Sequence, residues 1–197
     1  MRRHVMLGSA MLIALASERA WGANCQVFEN KLLNCGFDGG TTNWSAASGT
    51  LSHEAVDGRG NPGSAQMVGP ISATSEIRSD CVEVDPSTAY GFGIAHREIT
   101  DALVNGNCIL QVFFYQTLAS CQAGGNSGVG SSISLDPGAT WVLVNGTTPS
   151  PADDGSPGVF ARLVVPCSSG PTHTIRYDDA FLGVGMTPVD LQHYSVD

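Results

Sequence analysis

The sequence predicts an all-β fold, a two-sheet antiparallel β-sandwich, and three observations carry that prediction. Short apolar and β-branched runs recur along the chain without helical periodicity. Gly, Pro, Ser, Asn and Asp punctuate them, and no helical segment alternates with the runs as a parallel sheet would require. Many short strands in one chain of 197 residues favour a sandwich over a barrel or propeller.

The elements follow in order. Residues 1–22 read as a secretory signal: Arg2 and Arg3 form a charged start, and the apolar run from Val5 to Ala16 is too short to span a bilayer. Ala20-Trp21-Gly22 then offers small residues to a signal peptidase, with the cut after Gly22. Residues 23–185 are expected to form one domain, and 186–197 a C-terminal tail. Strands are expected at 31–37, 65–68, 75–84, 89–98, 108–118, 131–135, 141–147, 158–165 and 174–182. Between them lie turn-forming stretches such as DGRGNPG at 57–63, DPST at 85–88 and DPGA at 136–139. GRGNPG matches a dinucleotide-binding spacing letter for letter, but it contains Pro62 and opens no helix, so it reads as a turn.

Charge and cysteines narrow the class. The leader holds three of nine basic residues and one of eighteen acidic ones, leaving six against seventeen, with Lys31 the single lysine. Such a chain has little to offer a phosphate backbone or an anionic membrane, and no later segment is long and apolar enough to anchor it. A secreted or periplasmic location is expected, with attachment at the cell surface as a variant. All six cysteines follow the cut, and an even count in an exported chain reads as three disulfides. Fifteen pairings exist for six cysteines, and Cys25 with Cys35 is the preferred one. Cys121 is far from Cys108 unless the loop after the strand folds back.

Alternation assigns faces. In CILQVFFYQTL, Leu110, Val112 and Phe114 share the inner face, which turns Gln111, Phe113 and Tyr115 outward. In AYGFGIAHRE, Tyr90, Phe92, Ile94 and His96 point inward, and Gly91, Gly93, Ala95 and Arg97 line the other side as a groove of small residues ending in a guanidinium. Arg162 alternates outward in FARLVV and is expected at the same groove. Aromatic rings stack on the C–H faces of sugars, and amides and guanidinium groups suit their hydroxyls, so Arg97, Gln111, Tyr115 and Arg162 are candidate carbohydrate contacts. His96 reads as a satisfied core histidine.

Six stretches in one order now carry a resemblance: NCGFD at 34–38, Trp44, VEVDPSTAYGFGIAHR at 82–97, DPGATWVLVNGTTPSP at 136–151, FARLVVP at 160–166 and RYDDAFLG at 176–183. Together they resemble the jelly-roll carbohydrate-binding modules of families four, nine and twenty-two, a galactose-binding-like β-sandwich. The resemblance implies jelly-roll topology and a non-catalytic module that recognises a poly- or oligosaccharide. It implies further that Trp44 and Trp141 are core or sheet-edge residues. Cys35 departs from the family's usual Gly, and Asp38 stands where Glu is common.

It also implies a structural calcium between the opening acidic position and the closing acidic pair, hence Asp38, Asp178 and Asp179. Side chains alternate on a strand, so Asp178 and Asp179 are expected on opposite faces, one of them inward. An inward carboxylate needs a partner or a metal. The alternative is that one bonds Arg176 or backbone amides and the other faces water. Catalytic signatures are sparse: no nucleophile elbow and no histidine pair at metal spacing. A structural or adhesive domain is the first alternative function. A polysaccharide-acting enzyme is the second, since carboxylates such as Glu83, Glu98 and Asp101 would meet only in space.

Overall fold

The computed structural model describes residues 29–100, 108–124, 128–136, 138–151, 158–168 and 170–184. The expected leader at 1–22, Cys25 and the expected tail at 186–197 lie outside them. The elements are β1 (Trp44–Ser48), β2 (Thr50–Glu54), β3 (Ser64–Gly69), β4 (Ser75–Ser79), β5 (Val82–Glu83), β6 (Tyr90–Glu98), β7 (Cys108–Tyr115), α1 (Leu118–Ala123), β8 (Val129–Leu135), β9 (Val142–Thr148), β10 (Phe160–Cys167) and β11 (His173–Val184).

Two antiparallel sheets result. One has six strands in the order β1-β4-β10-β7-β8, with β5 paired to β10, and the other has five in the order β2-β3-β11-β6-β9. Their inner faces meet in one core that includes Phe37, Met67, Ile77, Phe92, Ile94, Leu110, Val112, Phe114, Leu163, Ile175, Tyr177 and Leu182. The alternation read from the sequence is correct here: Leu110, Val112 and Phe114 are buried from β7, and Tyr90, Phe92, Ile94 and His96 from β6. Each large apolar side chain so buried contributes roughly 1.5–3 kcal/mol. Ser75 on β4 and His173 on β11 join the sheets through the core, Oγ to Nε2 at 2.8 Å. His173 Nδ1 lies 3.1 Å from the Pro171 carbonyl, so it carries the proton and Nε2 accepts from the serine.

The strand expectations differ from the structure at four places. Residues 31–37 form no strand, because Asn34 and Phe37 both adopt positive φ, near 51°. β1 and β2 arise instead from WSAAS and TLSHE, whose small polar residues give little β signal. Gly49, at φ 86°, carries the chain from one sheet to the other where a Cβ would stand 2.8 Å from the Val68 carbonyl oxygen. The run at 75–84 splits into β4 and β5 around Asp80 and Cys81, and β7 ends at Tyr115.

Thr117 then caps α1: its side chain accepts from Ser120 N while Ser120 returns the bond, a capping box. The turn of helix brings Cys121 back to Cys81, so Cys81–Cys121 and Cys108–Cys167 are disulfides. Cys35 is disulfide-bonded too, but the expected Cys25–Cys35 pairing rests on a residue outside the described ones. No helix among the described residues is long and apolar enough to cross a membrane.

Candidate functional site

The predicted contacts divide between the two sheets. Arg97 is on β6 of the five-stranded sheet, whereas Gln111 and Tyr115 are on β7, and Arg162 on β10, of the six-stranded one. Outer faces of stacked sheets look in opposite directions, so Arg97 shares no groove with the other three.

On the five-stranded sheet the groove of small residues is filled. Phe181 pairs with Gly93 and is buried, and a Cβ on Gly93 would stand 2.6 Å from the ring's Cζ. Arg97 is engaged as well: its guanidinium pairs with Asp57 and stacks on Trp141, 5.5 Å from the ring centroid. Its cross-strand neighbour Arg176 binds the same Asp57, reaches Glu54 at 3.0 Å and donates from Nε to Gln66 Oε1 at 3.1 Å. Arg97 therefore closes a local ion-pair network of the kind that orders a sheet face.

The outer face of the six-stranded sheet is different. Register sets Arg162 opposite Phe113, Phe160 opposite Tyr115 and Val164 opposite both Gln111 and Arg78. Gln111 and Phe113 are partly exposed, while Tyr115, expected to be accessible, is 3% exposed and lies 6.4 Å from Phe113 between ring centroids. The helix α1 follows directly and packs on β7 and β10. Two residues belong to this face that sequence reasoning missed. Phe113 was read as outward but not counted as a contact, and Arg78 was passed over inside a strand.

Arg78 pairs with Glu76 on its own strand. Its guanidinium lies against Gly124, where an added Cβ would be 2.5 Å from Nη1. Gly124 at φ 68° is the left-handed cap of α1, so the disulfide-tied helix ends on this arginine. Arg162 is 7% exposed, its Nε is buried with no hydrogen bond, and no carboxylate among the described residues reaches salt-bridge distance. Burial holds its guanidinium below the usual arginine value.

The acidic pair departs from its expectation. β11 is bulged between Asp178 and Phe181, and Asp179 adopts φ 48°, so both carboxylates are buried, each 2% exposed. Asp178 Oδ2 accepts from Arg59 N at 2.6 Å, and Oδ1 from Asp179 N at 2.7 Å. Asp179 Oδ2 pairs with Arg59 Nη1 at 3.0 Å. Asp178 thus meets the backbone-amide half of the alternative expectation, whereas Arg176 is occupied elsewhere and Asp179 does not face water. Burial first, then the charges of Asp179 and Asp38, pushes the Asp178 carboxyl up to about 8.

The loop read only as a turn walls this junction. A Cβ on Gly58 would overlap the Asn61 and Gly63 carbonyl oxygens and stand 3.1 Å from Asp178 Oδ2, so three oxygens crowd one spot. Gly63, at φ 116°, lies against the Phe37 and Asp38 backbone. Asp38 itself is exposed. No group of three or more His, Cys, Asp or Glu side chains forms a metal cluster among the described residues, so Asp38 does not complete a side-chain triad with the pair.

Comparison with known proteins agrees on the architecture. No family model matches the sequence, and no curated protein matches it. Among solved structures, an arabinose-bound MgGH51 α-L-arabinofuranosidase matches with a TM-score of 0.61 at 16% identity over 81% of this chain, which spans 27% of that enzyme. The C-terminal family 22 carbohydrate-binding module of Clostridium thermocellum Xyn10B matches at 0.55 and 14% identity, covering 84% of this chain and 98% of the module. A family 61 module, TmCBM61, in complex with β-1,4-galactotriose matches at 0.53 and 14% identity, covering 79% of this chain and 98% of that one.

Proposed function

We propose, starting from a fold that is the jelly-roll sandwich of carbohydrate-binding modules, that this is an exported, non-catalytic protein that binds a glycan on the outer face of its six-stranded sheet. One observation carries the reading: register gathers a half-buried ring, Phe113, an amide, Gln111, and a guanidinium, Arg162, on adjacent strands of that face. A ring offers its face to sugar C–H groups, and an amide can donate and accept to neighbouring hydroxyls. Tyr115, buried behind Phe113, positions that ring, and Arg97 has no part in the site. The surroundings favour binding over hydrolysis, since the predicted acid Glu83 is across from Phe160 at the end of the sheet and Glu98 is buried on the opposite one.

Calcium belongs to the same reading as a structural ion. The donor chemistry fits a hard cation: two buried carboxylates, Asp178 and Asp179, with the Asn61 and Gly63 carbonyls beside them. Those groups would hold it, with Asp38 contributing charge from the surface. When bound, the ion would tie the loop at 58–63 to β11 and neutralise the pair.

The test is retention on immobilised polysaccharides, with Gln111→Ala and Phe113→Ala run alongside. Retention by a glycan class, weakened about tenfold by either substitution, corresponds to the loss of roughly 1.4 kcal/mol and supports the site. A protein that no glycan retains, or variants that bind as the parent does, would leave the structural or adhesive reading in its place.

A further inference from the structure

We propose, building on the glycan-binding reading, that the ligand is an acidic polysaccharide whose oxyanion, a uronate carboxylate or a sulfate ester, is received by Arg162. Three observations lead there. Arg162 sits in the interior of the sheet, on β10 between β4 and β7, among the candidate sugar contacts. Its side chain is 93% buried by exposure of 7%, Nε is buried without an acceptor, and it joins no ion pair among the described residues.

The third is contrast within the same protein. Arg59, Arg78, Arg97 and Arg176 each have a carboxylate, although all are more exposed than Arg162. A chain with seventeen acidic residues against six basic ones after its leader has acids to spare, yet among the described residues the most buried of these guanidinium groups forms no ion pair. A desolvated charge left unpaired is costly, and a protein that keeps one on a ligand face gains from an arriving counter-ion. Arg78, beyond Val164 on the neighbouring strand, adds a second positive charge near it, while Asp80 and Glu76 offset part of that charge from beyond ion-pair distance of Arg162.

Guanidinium groups bind carboxylate and sulfate oxygens through paired N–H donors, which makes the charge-assisted bonds stronger than those to sugar hydroxyls. The overall negative charge sharpens the specificity. Diffuse attraction for a polyanion is absent, so any acidic glycan retained is held by a local site.

The experiment measures binding of the purified protein to polygalacturonate, to the same polymer with its carboxyl groups reduced, to dextran sulfate and to dextran. Arg162→Met and Arg162→Lys are compared with the parent, together with melting temperatures in the absence of glycan. Expected is binding to polygalacturonate or dextran sulfate, at least tenfold weaker for the uncharged counterpart and lost in Arg162→Met. That variant should melt no lower than the parent, because an apolar side chain of similar length removes a buried charge that has no direct ion pair among the described residues. Arg162→Lys should keep part of the binding. Equal binding to the charged polymers and their neutral counterparts would overturn the proposal while leaving glycan binding intact. Failure to bind these four and the wider glycan panel would overturn both. A drop of several degrees in Arg162→Met with acidic binding retained would make Arg162 a structural residue.

Discussion

At the scale of single residues the interior holds a histidine whose ionisation works against the fold. His96 is fully buried, with Nε2 3.4 Å from the Asp136 carbonyl oxygen and Nδ1 without a partner. Burial pushes its imidazolium below the ordinary histidine value, and the Asp136 carbonyl only partly restores it. The unfolded chain takes up a proton near pH 6.5, before the folded protein does, so the unfolded state binds more protons in that window and stability falls as pH drops through it. Denaturant midpoints of the parent and His96→Leu, measured between pH 7.5 and 5, should converge as the pH falls, and parallel curves would contradict this. Position 96 was legible as an inward histidine because strict alternation holds along β6. The same rule fails to give the burial of Tyr115, since alternation says which side a residue takes and nothing about what packs over it.

The elements show where local signals compete with long-range ones. Asp178 and Asp179 looked like neighbours on opposite faces, yet with the bulge at 178–181 both are buried against the loop that carries Arg59, and nothing in RYDDAFLG announces a bulge. The loop at 58–63 was legible as a turn from its glycines, but its role as a wall depends on a strand more than a hundred residues later. If that junction holds calcium, saturating calcium should raise the melting temperature, a hundredfold excess over the dissociation constant being worth about 2.7 kcal/mol. Asp179→Asn should abolish the rise, and identical melts in calcium and chelator would remove the ion from the account. The short α1 is a separate case. Six residues make a marginal helix, so the Cys81–Cys121 bond and the Thr117 cap set its position. Replacing both cysteines with serine should cost about 2–4 kcal/mol in chemical denaturation. In the same variant Arg78 would lose its support from Gly124, and glycan retention should weaken along with stability.

For the whole molecule, the sandwich was legible because many short runs with turn residues between them leave few architectures, and the order of motifs selected the jelly roll. Which sheet each strand joins was not legible, and that is why Arg97 was grouped with residues that turned out to lie across the core. Strand pairing is almost wholly non-local: β4 pairs with β10, β3 with β11, and β6 with both β9 and β11. Loop closure precedes the reward of such contacts, so refolding with disulfides intact should take milliseconds to seconds in stopped-flow fluorescence, and a microsecond phase carrying the full amplitude would be inconsistent. The position of β11 matters most. The last described strand is the centre of its sheet, flanked by β3 and β6, and Asn30, Lys31 and Cys35 bond to its backbone at Leu182 and Ala180. A ribosome must therefore release residue 184 before either neighbour of that strand has its central partner. Until then the nascent polypeptide stays open, and under the proposed export that is the state a translocation channel would thread, with closure around β11 left to the far side.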